Sequence, residues 1–386
     1  MNIVLTGGGS GGHIAPVLAV AHELKQQSPK SRLTYIGQKN DGLLDVVRQN
    51  DAIDSVETVS AGKLRRYSEE GWRQLLDLKT QALNVRDVFR TLCGIVESYR
   101  LLGRLKPAVV FSRGGYVSVP VALAAKLRGV PYITHDADSL PSLANRIIAR
   151  WAAVHAVALP AALYPYPKET IVEVGMPTGH KHRPVTAAIQ QRYKQELQVD
   201  AYDEVLLVTG GGNGARMLNE AMVANARYLL ATLPNLVIFH FTGRELEAET
   251  RQAYEKLKLG KAQARVRVHA FEADLYRYSG AADVVVGRGG MSSIAEFALQ
   301  RKACLLVPSK QLSWNVKNSH SLAQQGAVVE LTEDQAEQPE RLGRTLAELL
   351  QNADKRAKLS RAIARLAHPH AASELAELIR KTGQGT

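Results

Sequence analysis

Short apolar runs recur along the chain, and small residues cut each one off before a helical pattern begins. Ile3-Val4-Leu5 is the first. Similar runs occupy residues 32–37, 55–59, 108–112 and 132–134, then 204–209, 236–243, 265–268, 283–287 and 304–308. They lack the apolar/polar alternation of a strand with one wet face. Near-continuous apolar strands separated by helices predict an α/β fold, with a parallel sheet covered on both sides. Helices are expected over 16–24 and 119–128, over a long zone from about 69 to 105, and from about 292. The tail from about 339 reads as helical, with a break at His368-Pro369. Between 160 and 184 the periodicity lapses and prolines gather at 160, 165, 167, 177 and 184. That stretch predicts a linker. The expected domains are therefore 1–177 and 178–361, with a C-terminal helix in 362–386 packing back on the first domain.

Two strand-end motifs occur twice, in the same order. Val4-Leu5-Thr6-Gly7-Gly8-Gly9-Ser10-Gly11 matches Leu207-Val208-Thr209-Gly210-Gly211-Gly212-Asn213-Gly214. Val109-Val110-Phe111-Ser112-Arg113-Gly114-Gly115 matches Val284-Val285-Val286-Gly287-Arg288-Gly289-Gly290. The repeat predicts two Rossmann-like domains of similar build. In such sheets ligands sit beyond the carboxyl ends of the strands, and every one of these glycine motifs stands at such an end.

Composition narrows the partners more than the fold. A length of 386 residues fits two domains, and the formal net charge of +12 favours an anionic partner: a nucleotide, a nucleic acid or an acidic membrane surface. Cys93 and Cys304 lie far apart in apolar segments, as free thiols of a reducing compartment would. Met1-Asn2-Ile3 runs straight into a strand, so no signal peptide is expected, and no apolar run reaches the length of a membrane span.

The candidate chemistry begins at the first glycine stretch. Glycine admits φ > 0 and close approach of a ligand, and the free N–H groups of a helix start favour an anion. His13 sets a titratable imidazole beside that cradle. An acidic residue about 20 positions on, which a dinucleotide site needs, is missing: Tyr35-Ile36-Gly37-Gln38-Lys39 has none before Asp41. A nicotinamide oxidoreductase is therefore disfavoured, and no nucleic-acid recognition motif appears.

Taken together, Gly7 to His13 with Pro16, Arg113-Gly114-Gly115-Tyr116-Val117-Ser118 with Pro120, residues 135–145, Gly210 to Ala215 with Asn219, and Arg288 to Glu296 resemble the MurG family of UDP-N-acetylglucosamine transferases. The resemblance runs the length of the chain. It implies a glycosyltransferase B fold, two Rossmann-like domains facing across a cleft, working without metal or other cofactor. It implies UDP-GlcNAc as donor and an undecaprenyl-diphosphate-linked muramyl-peptide as acceptor, in peptidoglycan synthesis at the cytoplasmic face of the plasma membrane. His13 and Asp136 become the catalytic candidates, His13 as a base of near-neutral pKa for the acceptor hydroxyl. The donor candidates are Gly211, Gly212, Asn213, Gly214, Ala215, Arg288, Met291, Ser292, Ser293, Glu296, Asn315 and Asn318, with Glu296 on the ribose hydroxyls. The acceptor candidates are Gly11, Gly12, Arg113, Gly114, Gly115, Tyr116, His135, Asp138 and Asn145.

Some positions depart from that family. It has His-Glu-Gln-Asn where this chain reads His135-Asp136-Ala137-Asp138, and Trp314 and Asn315 stand where a glutamine-containing stretch is usual. The arginine usual after the linker is absent, with Lys181 or Arg183 as substitutes. Basic and apolar residues interleave from Lys63 to Lys106, and Arg65, Arg66, Trp72, Leu75, Leu76 and Lys79 predict contact with an anionic membrane surface. A UDP-sugar 2-epimerase or a non-catalytic sugar-nucleotide binder on the same fold are the alternatives.

Overall fold

The computed structural model describes residues 1–8, 11–42, 44–63, 77–138, 140–179, 181–272 and 274–385. The chain forms two units, one of residues 1–180 and 368–386, the other of residues 181–367.

The first unit begins with β1 (Asn2–Thr6), α1 (Gly11–Gln27), β2 (Arg32–Gln38), α2 (Leu44–Arg48), β3 (Ser55–Val59) and α3 (Leu78–Leu105). It continues with β4 (Val109–Ser112), α4 (Ser118–Leu127), β5 (Tyr132–Asp136), α5 (Leu143–Ile148), β6 (Val154–Val157) and β7 (Ile171–Glu173). The seven strands form one parallel sheet in the order β3-β2-β1-β4-β5-β6-β7. Alternate strand residues feed two cores. Ile3, Leu5, Val109 and Phe111 join one face with Val17, Val20 and Leu24 of α1. Val4 and Val110 join the other with Leu102 of α3 and Val121 of α4. This double burial is why the strands read as unbroken apolar runs.

The second unit holds α6 (Ala187–Glu196), β8 (Glu204–Thr209), α7 (Arg216–Thr232), β9 (Leu236–Phe241), α8 (Glu247–Lys256), β10 (Val266–His269), α9 (Leu275–Ala281) and β11 (Val284–Gly287). After these come α10 (Met291–Leu299), β12 (Ala303–Leu306), α11 (Ser313–Gln324), β13 (Val329–Glu330), α12 (Glu333–Glu337), α13 (Arg341–Gln351) and α14 (Ala353–Ile363). Its six parallel strands run β10-β9-β8-β11-β12-β13. The last helix, α15 (Ala371–Gln384), belongs to the first unit. There Leu375, Ala376 and Ile379 sit in the core beside α1, and Gln27 donates to the Ser373 carbonyl at 2.9 Å. Burying a Leu or Ile of this kind contributes about 1.5–3 kcal/mol.

The repeated motifs also share a register. Leu5 pairs with Phe111 in the first sheet, and their counterparts Val208 and Val286 pair in the second. In each sheet the chain reverses its direction of winding between those neighbours, β1 and β4 or β8 and β11. That reversal opens a crevice at the strand ends where ligands bind.

Three elements differ from expectation. α1 opens at Gly11 rather than near Pro16, so His13 lies in its first turn. β5 runs to Asp136, two residues past the expected end. Part of the expected linker, Ile171–Glu173, is instead the edge strand β7, where nearby prolines take no ladder hydrogen bond away.

Candidate active site

In the first unit the loops after β1 and β4 meet. Gly115 has φ 82°, and a Cβ there would lie 2.6 Å from the Gly8 carbonyl oxygen and 3.4 Å from His13 Nδ1. Only glycine fits that approach without strain. The buried Tyr35 hydroxyl donates to the Gly7 carbonyl from below, and the Tyr116 hydroxyl donates to Gln38 Oε1. Gly11 and Gly12 begin α1, and Gly12 is exposed. His13, partly buried, is pulled down to about 4. Burial is the larger cause and the charge of Arg113 the second, against a hydrogen bond to the Gly8 backbone. The near-neutral value expected from sequence is thus corrected: the ring is neutral at pH 7.

Beneath this pair of loops lies a polar layer. Arg113 is buried, its Nη1 3.5 Å from the His135 carbonyl, and the carboxylates of Asp138 and Asp136 support its charge. Asn145 Nδ2 donates to the same carbonyl at 3.1 Å, and its side chain sits under Gly114. His135 is 0% exposed; Nε2 carries its proton, because it donates to the Gly175 carbonyl at 2.9 Å. Burial and then Arg113 pull that imidazole to about 3. Arg113, His135 and Asn145, expected on the acceptor side, all lie in this buried layer. β5 continues through His135 and Asp136, so these groups support the loops from inside. Asp138 is partly buried.

Asp136 is 3% exposed, and both carboxylate oxygens are engaged. Oδ2 accepts from the Tyr166 hydroxyl at 2.6 Å and Oδ1 from the Ser142 N–H at 3.3 Å. Burial raises its pKa against these bonds. Both oxygens of this catalytic candidate are thus occupied by donors of the protein itself. Of the expected membrane contacts, Arg65, Arg66, Trp72, Leu75 and Leu76 lie outside the described residues, as does the Lys79 side chain.

In the second unit Gly211, Gly212 and Asn213 form an exposed turn, closed by Gly214 N–H donating to the Gly211 carbonyl at 3.0 Å. α7 follows from Ala215, whose side chain gives no cap, so the first N–H groups of the helix have no side-chain acceptor from that residue. The turn rests on Asn219. Its Nδ2 donates to the Thr242 carbonyl at 3.1 Å, while its Oδ1 accepts from His240 Nε2 at 3.0 Å. The other His240 nitrogen then accepts from Tyr254 at 2.9 Å, so His240 is structural.

After β11, Arg288 is ion-paired with Glu333 at 2.6 Å, and its Nη1 is buried without a hydrogen-bond partner among the described residues. α10 begins at Met291, which is buried; Ser292, Ser293 and Glu296 are its partly exposed polar positions. Ser292 and Glu296 are four apart and share a face. Glu296 Oε2 lies 3.8 Å from His182 Nε2; burial raises the carboxyl pKa and His182 opposes that. Asn315 and Asn318 of α11 are buried, while the neighbouring Trp314 is half exposed. Among the described residues no cluster of three or more His, Cys, Asp or Glu stands ready for a metal.

Comparison with known proteins gives these two half-sites a family. The profile of the Glycosyltransferase family 28 N-terminal domain matches residues 3–157, and that of the Glycosyltransferase family 28 C-terminal domain matches residues 205–375. The UDP-N-acetylglucosamine–N-acetylmuramyl-(pentapeptide) pyrophosphoryl-undecaprenol N-acetylglucosamine transferase of Moorella thermoacetica is 31% identical over 387 residues, 99% of each chain. The chain belongs to the MurG family of glycosyltransferases. The transferase of the same name from Natranaerobius thermophilus is 28% identical over 386 residues, 98% of this chain and 99% of that one. The crystal structure of Acinetobacter baumannii MurG superposes with a TM-score of 0.71 over 98% of this chain and 99% of that one, at 24% identity. A UDP-GlcNAc 2-epimerase from Neisseria meningitidis bound to UDP-GlcNAc superposes at 0.66, over 99% of this chain and 100% of that one, at 14% identity. Both superpositions speak for the fold alone.

Within this MurG-family chain, sequence reasoning missed two residues. Lys181, offered as a substitute arginine, is paired with Asp274 at 2.8 Å; the residue beside Glu296 is instead His182. Glu333 carried no signal of its partnership with Arg288. Thr332-Glu333-Asp334-Gln335 reads only as a capping box, which it is.

Proposed function

We infer that the chain transfers N-acetylglucosamine from UDP-GlcNAc to the O4 hydroxyl of an undecaprenyl-diphosphate-linked muramyl-peptide, the lipid I to lipid II step of peptidoglycan synthesis. The observation that carries this is the full-length match to transferases whose name states that donor and acceptor. In the step, acceptor O4 bonds to the anomeric carbon of the donor sugar, the bond from that carbon to the phosphate oxygen breaks, and UDP leaves with the electron pair. The O4 proton passes to His13, with inversion at the anomeric carbon. An approaching anionic substrate raises the basicity of His13, because it offsets the charge of Arg113. The turn at Gly211–Ala215, the start of α7 and Arg288 meet the growing charge on UDP, and Glu296 accepts from the ribose hydroxyls. Gly114, Gly115 and Tyr116 line the acceptor side.

The chain works as a peripheral protein at the cytoplasmic face. Among the described residues no helix is long and apolar enough to cross a membrane. α3 carries a row of exposed apolar side chains, Val85, Val88, Phe89, Leu92 and Val96, with the exposed cations Arg86, Arg90 and Arg100 around it. Such a face suits an anionic lipid surface.

The test is incubation with labelled UDP-GlcNAc and a lipid I analogue. UDP release matched by a larger glycolipid supports the reading. UDP-N-acetylmannosamine formed without any acceptor would replace it with an epimerase, and donor binding without turnover would replace it with a binder.

A further inference from the structure

The ion pair behind the Arg288 loop has a geometry that the transfer reaction as described above does not use. Glu333 is buried at the first position of α12, and Thr332 and Gln335 fix that helix start reciprocally. Its two oxygens serve two different segments. Oε1 accepts from Arg288 Nη2 at 2.6 Å, and Oε2 accepts from the Lys310 N–H at 3.3 Å. Lys310 lies in the connection that leads from β12 into α11, the helix of Trp314, Asn315 and Asn318. One carboxylate therefore joins the end of β11, the entry to α11 and the start of α12. A carboxylate in the first turn of a helix is also favoured by the helix dipole.

The guanidinium is planar, so fixing one of its nitrogens fixes the direction of the others. Arg288 Nη2 is taken by Glu333. Nη1 is buried and has no hydrogen-bond partner among the described residues. A buried N–H without an acceptor is rare in a folded chain and calls for an oxygen from elsewhere. We propose that Glu333 is a positioning residue of the sugar-nucleotide half-site: it holds Arg288 with Nη1 presented to an anionic oxygen of the donor diphosphate, and touches no substrate itself.

This rests on the reading of Arg288 as a donor-side residue, so the experiment separates the two. UDP binding is measured by calorimetry, and the Michaelis constants for UDP-GlcNAc and acceptor by initial rates. The variants are Arg288→Ala, Glu333→Ala, Glu333→Gln and the double variant, each with a melting curve. Arg288→Ala weakens UDP binding about 10-fold or more, as loss of a charged hydrogen bond does. Glu333→Ala does nearly the same, raising the donor KM and leaving the acceptor KM within about twofold. Glu333→Gln, which keeps the shape and the acceptor oxygen but not the charge, falls between wild type and Glu333→Ala. Because Glu333 acts through Arg288, adding Glu333→Ala to Arg288→Ala weakens UDP binding by less than about twofold more. Normal UDP binding in Glu333→Ala beside weak binding in Arg288→Ala overturns the proposal and leaves the donor reading standing. Normal binding in both variants overturns the donor reading of Arg288 itself. A double variant much weaker than either single one assigns Glu333 a general structural role and overturns the proposal.

Discussion

A Cβ at Gly214 would stand 1.9 Å from the carbonyl oxygen of Thr242, closer than any two such atoms approach. The turn after β8 and the turn after β9 thus touch backbone to backbone, and Gly214 has φ 74° besides. Asn219 Nδ2 holds the same Thr242 carbonyl in place at 3.1 Å. Gly214→Ala therefore pushes the turn off its support. UDP affinity should drop at least about 10-fold, because the N–H groups proposed to meet the UDP phosphates move with the turn. Gly260 is the control. It also has positive φ, 61°, yet a Cβ there meets nothing within 4 Å. Gly260→Ala should cost only about 1–2 kcal/mol of stability and leave UDP affinity unchanged. Calorimetric titration of both variants with UDP checks this, and equal affinities would remove the turn from the donor site.

With His13 as the proposed base, its titration should set the acid limb of the pH–rate profile. Its pKa of about 4 means the ring stays neutral well below the ordinary histidine value. The protonated ring cannot take a proton, so activity is lost as pH falls through the folded pKa. The kcat/KM profile of the free enzyme should stay level from pH 7 to about 5.5 and fall near 4. His13→Ala should slow transfer about 10²–10⁴-fold. An acid limb centred at 6.5 would contradict the buried setting beside Arg113.

Asp136 offers a direct comparison with His13. Asp136→Asn keeps one acceptor oxygen and loses the other, which disturbs either Tyr166 or the Ser142 N–H. The expected result is a loss of about 1–3 kcal/mol in urea unfolding, with kcat lowered less than about 10-fold. Unchanged stability together with a kcat loss as large as that of His13→Ala would make Asp136 the base instead.

The repeat between the two halves was legible in the sequence because it was written in consecutive residues. Thr6-Gly7-Gly8 and Thr209-Gly210-Gly211 mark equivalent strand ends, and the pairing of Leu5 with Phe111 and of Val208 with Val286 follows from them. Direction of side chains was less legible. The apolar run that ended at Thr134 hid the fact that β5 continues, which turned His135 and Asp136 from loop residues into buried ones. Tertiary partnerships were not legible at all. Arg288 and Glu333 are 45 residues apart, and neither carries a local pattern that names the other.

Buried histidines make stability depend on pH in both units, and His135 and His240 are the most strongly shifted. Burial draws His135 and His240 to about 3, far below the value of about 6.5 in an unfolded chain. Below 6.5 the unfolded chain binds protons that the folded one refuses. Their contribution is therefore complete above pH 6.5 and is lost as pH falls toward 3, by about 1.4 kcal/mol per pH unit for each histidine. His240→Gln removes one of the two. In urea unfolding, the second unit of that variant should lose about 2 kcal/mol less than wild type between pH 7 and pH 5. The same loss in both would show that His240 is protonated in the folded state.

The exposed row on α3 is the surface most open to direct test. Phe89 is 67% and Leu92 55% exposed, one turn apart on a face left open among the described residues. An apolar side chain of that size contributes about 1.5–3 kcal/mol when it leaves water. Phe89→Glu removes that gain and sets a negative charge against an anionic surface. Sedimentation with phosphatidylglycerol vesicles should fall at least about 10-fold, and wild-type binding should weaken as salt rises, since Arg86, Arg90 and Arg100 supply the attraction. Turnover of a short-chain, water-soluble acceptor should stay normal in the variant, because α3 carries none of the proposed catalytic or donor-binding residues. Unaltered sedimentation of both Phe89→Glu and Leu92→Glu would mean that the chain meets its lipid acceptor through another surface.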